Sequence, residues 1–413
     1  MASLQYSSIL SDTNDEKISW FVGVYFISST ANMTMKTIFP IPENLWGLVS
    51  LFWGFVIAYF MLKSFKVVWR RSKEIIGRTI FAFVALIAWS LVLITLRGEP
   101  TKILISSIGI PTLMFWIPVG IYASTVKKTS ILYDVMLKSS YILTALLIIC
   151  YIFRTGGAED PEQAKGYNMF WGYSMAFASL FQLNEFFRSR NRKLLYLFVT
   201  EFLLILSYAN RGALLSIGFF IFFKFIMDQS SLIKKIVWTS LLGTAVGMLI
   251  LFAEPIANYA LQYMTESRTL SKMASESLTE SDARDDLRAI SIDMIKERPI
   301  LGWGVGGECY TIGHRFAPGN ELSHGHSSHN GIIQHLLYFG VLGGTVVNIL
   351  LIWPIFRLHR MRDEYRKGII LVSCSAYFIT TLISSCDILL KPAVAVYIYL
   401  SYFYKKNKVT YTR

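Results

Sequence analysis

Three histidines stand close together in the segment His324-Gly-His326-Ser-Ser-His329-Asn330, directly before a long apolar run. Imidazole is a common zinc ligand, but the spacing lacks the i, i+4 pattern of zinc-binding helices, and the nearest carboxylate is Glu321. Solvated loop residues are the alternative, and we predict no metal site. His329 lies at the expected water boundary, where a neutral imidazole could take a proton from a hydroxyl group. Asparagine is a residue type that commonly caps a helix, so a helix cap is the structural interpretation of Asn330.

Arg211 is a single charge between two apolar runs, within Asn210-Arg211-Gly212. An arginine at the membrane boundary is costly, so it faces a cavity, pairs with an acid or extends to the lipid head groups. An anchoring role is one interpretation. The other follows from its small neighbours and from the position on the same predicted side as His329. There a guanidinium group could hold a phosphate through two hydrogen bonds.

Arg284 and Arg288 are one helical turn apart and are flanked by Asp282, Asp285 and Asp286. This pattern is typical of an exposed helix with local ion pairs, each of which contributes little to stability. The functional interpretation is a second clamp for a phosphate or sugar outside the membrane.

A glycine-rich segment follows that helix, running from Pro299 through Gly302-Trp303-Gly304 to Gly307. Glycines permit tight turns and positive φ angles. A dinucleotide site is excluded because the pattern follows a helix instead of a strand. Trp303, with Tyr310 and Phe316, could stack on sugars, and packing within the loop is the alternative.

The elements that position these residues belong to a very apolar chain of 413 residues, with 54% hydrophobic residues, 16% charged residues and a mean hydropathy of +0.46. Soluble proteins carry about 25% charged residues, so a soluble enzyme is excluded. A transmembrane helix needs about 20 mainly apolar residues. The candidate runs are 18–36, 45–62, 79–96, 103–123, 139–153, 168–187, 194–209, 212–227, 236–252, 330–353, 368–386 and 388–403. They predict an all-α polytopic membrane protein with about twelve spans.

The basic residues predict the orientation of these spans. Most of the 40 lysines and arginines fall in alternate short connections, which are therefore cytoplasmic, as are both termini. This distribution accounts for the net charge of +13 without a nucleic-acid partner. The first span lacks a convincing cleavage site, so we expect it to be retained.

One long connection interrupts the pattern and is predicted to be extracytoplasmic. Loops longer than about 15 residues are usually functional or disordered. Ser277 and Glu280 read as a capping box, and apolar residues follow helical spacing from Ser281 to Glu297, until Pro299 stops the helix. The predicted organisation is spans 1–9 in residues 1–252, the loop with an amphipathic helix in 253–328 and spans 10–12 in 329–413.

Four motifs in this order resemble the bacterial O-antigen polymerase and O-antigen ligase superfamily, over roughly residues 200 to 345. They are Asn210-Arg211-Gly-Ala-Leu-Leu, Ala283-Arg284, Ile295-Lys-Glu-Arg-Pro299-Ile-Leu-Gly302-Trp-Gly304-Val-Gly306, and His329-Asn330-Gly-Ile-Ile-Gln-His-Leu-Leu-Tyr-Phe-Gly340-Val-Leu-Gly. The layout of spans with one long outer loop before the tenth also matches.

The resemblance implies a glycosyltransferase of the bacterial inner membrane that acts on its outer face without metal or cofactor. Its donor and acceptor would be glycans linked to undecaprenyl diphosphate, and its partners a chain-length regulator and a flippase. Arg211 and Arg284 match arginines that grip the lipid diphosphate, and His329 matches the histidine that acts on the acceptor hydroxyl. Arg288 departs from the family, which often has an aromatic residue there. Asn330, His326 and Trp303 are further candidate substrate contacts.

Three functions remain open. The leading expectation is a polymerase that joins lipid-linked repeat units, and the nearest alternative is a ligase that uses lipid A core as acceptor. A lipid-linked sugar flippase is a different class. Transporters typically show repeated halves and polar groups at the midplane, whereas this chain has no evident internal repeat and only Glu201 deep in a span.

Overall fold

The computed structural model describes residues 2–39, 41–98, 101–153, 169–208, 211–228, 283–316, 327–378 and 391–404, with a few isolated positions between 231 and 259 and at 382. Every regular element within these ranges is helical, as predicted. The α-helices, numbered in chain order, are α1 (Ala2–Ile38), α2 (Trp46–Thr95), α3 (Ile117–Thr125), α4 (Thr129–Ile152), α5 (Met169–Ser189), α6 (Arg192–Tyr208), α7 (Arg211–Asp228), α8 (Ala283–Glu297), α9 (Gly307–Phe316), α10 (Gly331–Arg357), α11 (Glu364–Ser373) and α12 (Pro392–Tyr402). Short π-helical segments precede α3 and follow α11.

Three stretches are long and apolar enough to cross a membrane, namely α2, α4 and α10 with the turn that follows it. Shorter apolar helices occur at Thr112–Thr125, Gly212–Met227 and Pro392–Tyr402. Large apolar side chains on α2 are exposed, with Phe55 at 67% and Phe81 at 77%, as expected of side chains that face lipid. The count of twelve spans stays a prediction, because most of the predicted ninth span and the end of the predicted eleventh lie outside the described residues.

Helix α2 contains two of the predicted spans, 45–62 and 79–96, and the basic stretch between them is helical as well. A straight helix of 50 residues would be about 75 Å long, more than twice the hydrocarbon thickness. The helix is broken at Ser72, whose φ of −132° and ψ of 24° are not helical. The break separates residues 46–71 from residues 73–95, so each part is close to the length of one span.

Segments predicted to be cytoplasmic meet at one end of the bundle. The buried carboxylate of Asp15 in α1 accepts hydrogen bonds from the backbone nitrogens of Lys127 and Lys128 and pairs with Arg71 of α2. Thr129 at the start of α4 donates to Asp363 before α11. These contacts join α1 to α2 near its break and to the turn before α4, and they join the start of α4 to the start of α11.

Glu201 lies within α6, where the sequence predicts that it faces the bundle interior and has a donor partner. Its side chain is fully buried, and the hydroxyl group of Thr144 in α4 donates a hydrogen bond to it. Gln182 of α5 donates to the same threonine at 2.9 Å. This polar cluster confirms the prediction and joins three helices inside a large apolar core.

Helix α10 differs from the predicted continuous span 330–353, because it is interrupted at Gly340, which has a φ of 72° and a ψ of 178°. The side-chain nitrogen of Asn348 donates to the carbonyl of Ile332 at 3.2 Å, and the Asn348 side-chain oxygen lies 2.6 Å from Nδ1 of His335. Residues 332 and 348 would be about 24 Å apart in a straight helix. The arm formed by residues 331–339 therefore folds back on residues 341–357.

Candidate functional site

The loop helix α8 agrees with the amphipathic helix predicted from Ser281 to Glu297, and it ends at Glu297 before Arg298-Pro299. Positions 281 and 282 and the predicted capping box at Ser277 and Glu280 lie outside the described residues. Leu287 and Met294 on its apolar face are buried in one cluster with Trp303, Ile312 of α9 and Leu337 of α10. This cluster fixes α8 and α9 against the folded-back arm of α10.

Two glycines allow the backbone after α8 to contact the break in α10 directly. Gly302 has a φ of 68°, and a Cβ atom there would lie 2.5 Å from the carbonyl oxygen of Leu337. A Cβ atom on Gly340 would lie 2.2 Å from the carbonyl oxygen of Ile300. Only glycine fits such a close approach at a positive φ.

Backbone hydrogen bonds hold this contact. The nitrogens of Trp303 and Gly304 donate to the carbonyls of Leu337 and Tyr338 at 2.7 and 3.1 Å. In the opposite direction, the nitrogen of Val341 donates to the carbonyl of Pro299 at 2.7 Å. The groups that the break at Gly340 would leave without helical partners are thus satisfied by the glycine-rich turn.

Trp303 is packed inside the loop. Its side chain is 5% exposed, and its indole nitrogen donates to the carbonyl of Met294 at 2.9 Å. The guanidinium groups of Arg298 and Arg97 lie 4.6 and 5.1 Å from the ring centre, and that of Arg315 lies 5.8 Å away. The structure therefore shows the packing alternative, and stacking of this indole on a sugar would need the loop to open.

His329 and Asn330 form the entry to α10. Asn330 caps the helix, because its side-chain oxygen accepts hydrogen bonds from the nitrogens of Ile332 and Ile333 at 2.9 and 3.1 Å. This confirms the structural interpretation of Asn330. His329 has a φ of 48°, a left-handed conformation that is uncommon for residues other than glycine and has to be held by its surroundings.

A buried polar network lies directly behind His329. The hydroxyl group and the nitrogen of Ser328 donate to the side-chain oxygen of Gln334 at 2.7 and 3.3 Å. The Gln334 side-chain nitrogen donates to Glu308 of α9 at 2.6 Å and to the hydroxyl group of Tyr338 at 3.1 Å. Glu308 is fully buried. The network thus fixes the residue that precedes His329 through two helices.

Arg97, just after α2, joins this region from the membrane bundle. Its guanidinium group donates to the carbonyl of Trp303 at 2.7 Å, and a Cβ atom on Gly307 would lie 2.2 Å from one of its nitrogens. The guanidinium group of Arg97 thus lies beside Gly307, the residue that precedes Glu308. In the sequence, Arg97 counts only toward topology and Glu308 lies in no motif. Gln334 lies within the last motif but has no role assigned there, so the roles of all three residues become visible only in the fold.

Residues 195–347 match the family model of O-antigen ligase. This match supports the O-antigen polymerase and ligase superfamily for this part of the chain. The matched residues contain α7, the glycine-rich turn, the Glu308 network and His329. No curated protein and no solved structure matches the chain. Members of this family are membrane enzymes that resemble glycosyltransferases and act on lipid-linked polysaccharides.

Within the O-antigen ligase region, the structure packs the helix that carries Arg284 against the helix that follows His329. Arg284 lies in the first turn of α8, and α8 packs on the arm of α10 that follows His329. Arg211 is the first residue of α7, which packs against α5 through a close approach of Gly212 to the hydroxyl group of Tyr173. The side chains of Arg211 and Arg284 lie outside the described part of the structure, as does His326, so their roles stay predictions.

Arg288 makes a local ion pair, in which Nη1 lies 3.0 Å from a carboxylate oxygen of Asp285 one turn earlier. The pair is partly exposed, with 35% and 54% of the two side chains accessible. It matches the structural interpretation of this charged helix. Among the residues that the structure describes, no group of three His, Cys, Asp or Glu side chains is placed to hold a metal ion.

Proposed function

We propose that this chain is a polymerase of lipid-linked polysaccharide repeat units on the outer face of the bacterial inner membrane. It transfers a glycan from undecaprenyl diphosphate to a hydroxyl group of another repeat unit that is itself linked to undecaprenyl diphosphate. The observation that carries the proposal is that the O-antigen ligase match includes Arg211, Arg284 and His329. A chain-length regulator and a flippase are the proposed protein partners.

In this reaction the acceptor oxygen forms a bond to the anomeric carbon as the bond from that carbon to the diphosphate breaks. His329 takes the proton of the acceptor hydroxyl group, which is general-base catalysis. Negative charge develops on the leaving diphosphate, and Arg211 and Arg284 stabilise it without a metal ion. The products are a longer glycan on the acceptor lipid and free undecaprenyl diphosphate.

The left-handed backbone at His329 supports this role, because strained conformations persist where the surrounding structure imposes them and are common at active sites. Ser328 on one side is fixed by Gln334, and Asn330 on the other side caps α10. The imidazole is therefore presented from a rigid backbone at the entry of a helix, as a base must be for accurate proton transfer.

A ligase that transfers the glycan to lipid A core is the second candidate, and the name of the matched family favours it. The two functions differ only in the acceptor. A flippase has weaker support, since the matched family consists of enzymes that resemble glycosyltransferases.

The test uses purified protein, lipid-linked repeat units and, in a second reaction, added lipid A core. The variants are Arg211→Ala, Arg284→Ala and His329→Ala, with Arg192→Ala at the predicted cytoplasmic end as a matched control. We expect chain growth without lipid A core and a loss of about 100-fold in each site variant, as for removal of one electrostatic or proton-transfer group. Chain growth that persists in all three would refute the site. Glycosylation of lipid A core without chain growth would identify a ligase. Gel filtration of every variant establishes that it is folded.

A further inference from the structure

A cleft opens at the end of the bundle opposite to the catalytic region just described. It lies between the break of α2 at Ser72 and the turn that joins α3 to α4, and its volume is about 400 Å³. The lining residues are Arg70, Arg71, Ser72, Lys73, Glu74, Ile75, Ser124, Thr125, Val126, Lys127 and Phe403. Four of these side chains are cationic and one is acidic, so the cleft is strongly positive.

A buried ion pair makes one wall of the cleft rigid. Nη1 of Arg71 lies 2.5 Å from Oδ1 of Asp15, whose side chain is fully buried. Oδ2 of the same carboxylate accepts the backbone nitrogens of Lys127 and Lys128 at 3.0 and 2.8 Å. Asp15 therefore neutralises Arg71 and fixes the α3–α4 turn, so the charge of Arg71 is already compensated inside the protein.

The remaining cations are those of Arg70, Lys73 and Lys127, and all three residues are exposed at the cleft. Glu74 is the one carboxylate among the lining residues. Three cations with a single acid around a preformed space suit an anion with several oxygen acceptors, since guanidinium and ammonium groups both bind phosphate. Basic residues that serve only to fix the orientation of the spans would need neither a cleft nor a rigid wall beside them.

The position of the cleft along α2 indicates which phosphate it meets. Phe65 and Trp69, just before Arg70 on the same helix, are 46% and 44% exposed. Exposed aromatic residues at the end of an apolar helix typically lie at the level of the lipid head groups. The sequence predicts that this end is cytoplasmic, where anionic lipids attract basic residues. Phe403 adds an apolar wall beside the cations.

We propose that this cleft binds the phosphate head group of an anionic glycerophospholipid. Arg70, Lys73 and Lys127 contact the head-group oxygens, and the Arg71–Asp15 pair holds the cleft open. The proposal is independent of the reaction assigned to the opposite end of the bundle. A free phosphate ion shares the same chemistry, so the experiment separates the two sources.

The experiment measures binding of phosphatidylglycerol, phosphatidylcholine and inorganic phosphate to the full chain purified in an uncharged detergent, by native mass spectrometry and by lipid-dependent thermal unfolding. The test variant is Arg70→Gln with Lys73→Gln and Lys127→Gln, which leaves Arg71 and Asp15 intact. The control variant is Arg190→Gln with Arg192→Gln and Lys193→Gln, which removes the same charge from another predicted cytoplasmic segment.

We expect phosphatidylglycerol to bind about tenfold or more tightly than phosphatidylcholine, a preference that the test variant loses and the control variant keeps. An equal loss of this lipid preference in both triple variants would show a general effect of net charge and would overturn the proposal. Retention of the preference in the test variant would overturn it as well. Binding of inorganic phosphate, with the same dependence on the three cations and no preference among lipids, would replace the lipid with a free anion. Unfolding without lipid shows that both variants are folded.

Discussion

The side-chain nitrogen of Gln334 lies 2.6 Å from a carboxyl oxygen of Glu308, and this hydrogen bond joins α10 to α9 inside the protein. The oxygen of the same amide accepts two hydrogen bonds from Ser328, the residue before His329. One side chain thus links a buried acid to the backbone that presents the proposed base. Gln334 is accordingly a positioning residue for His329.

Replacement of Gln334 by alanine tests this link. Gln334→Ala leaves Glu308 and Ser328 without this partner, so we expect lower stability and a fall of about tenfold in kcat, with little change in KM, since misplacement of a catalytic group by about 1 Å can cost more than that. Gln182→Ala is the matched control, because Gln182 is equally buried and donates to Thr144 in the membrane core. Activity per folded molecule separates a loss of positioning from a loss of stability. An equal fall of this activity in Gln334→Ala and Gln182→Ala would contradict a positioning role.

The contact between the glycine-rich turn and α10 predicts strong intolerance of a single methyl group. Gly302→Ala and Gly340→Ala place a Cβ atom against carbonyl oxygens at positive φ. We expect each to lower the free energy of unfolding by more than about 1 kcal/mol. Gly218→Ala in α7 is the control, since a Cβ atom there meets open space, and in a helix interior it is expected to stabilise by about 0.5–1 kcal/mol. Denaturant unfolding in detergent measures all three, and unchanged stability in the first two would refute the close packing.

The pair of Arg71 and Asp15 is expected to be strongly coupled. Loss of one partner from a buried ion pair costs about 3–5 kcal/mol, because the other charge remains in the protein. Asp15→Ala should therefore destabilise far more than Asp134→Ala, whose partner Lys138 is more than half exposed. The exposed pair should contribute less than about 1 kcal/mol. A double-mutant cycle on each pair measures the coupling, and similar values for both would refute the special role of the buried pair.

The ion pair between Glu297 and Arg315 links α8 to α9 and predicts a weak pH dependence. Two hydrogen bonds from Arg315 hold the pKa of Glu297 below its usual value. The stabilisation is present above the unfolded-state pKa, about 4.5, and is lost as the pH falls through the lowered pKa. Glu297→Gln should reduce stability at pH 7, by no more than about 0.5 kcal/mol for such an exposed pair, and leave it unchanged once the pH is below the lowered pKa. Thermal unfolding across this range measures the effect, and Arg315→Gln should remove the same pH dependence.

Much of the helical architecture follows from the sequence, because apolar runs and a cap at Asn330 are local signals. The end of α8 at Glu297 is local as well, since Pro299 cannot continue a helix. The breaks at Ser72 and Gly340 have no comparable signal. Both lie within helices, and the break at Gly340 is fixed by tertiary contacts with Asn348 and the glycine-rich turn.

The candidate site could be predicted only where chemistry depends on residue type. His329, Arg211 and Arg284 are notable because charged groups and imidazole are rare near apolar runs. Glu308 has no such signal, and its partner Gln334 lies 26 positions later in the chain. The residue type of Trp303 is compatible with stacking on a sugar and with packing inside the loop. Only the folded structure distinguishes the two, because the burial of Trp303 depends on contacts with both α9 and α10.

Main-chain hydrogen bonds hold the glycine-rich turn on α10. The side chains of Ile300 and Leu301, which follow Pro299 in this turn, are 78% and 53% exposed. Because main-chain groups make these contacts, the path of the backbone does not depend on which side chains stand at positions 300 and 301. Substitutions of Ile300 and Leu301 should therefore leave unchanged both the path of the turn and the backbone of α10 that it contacts.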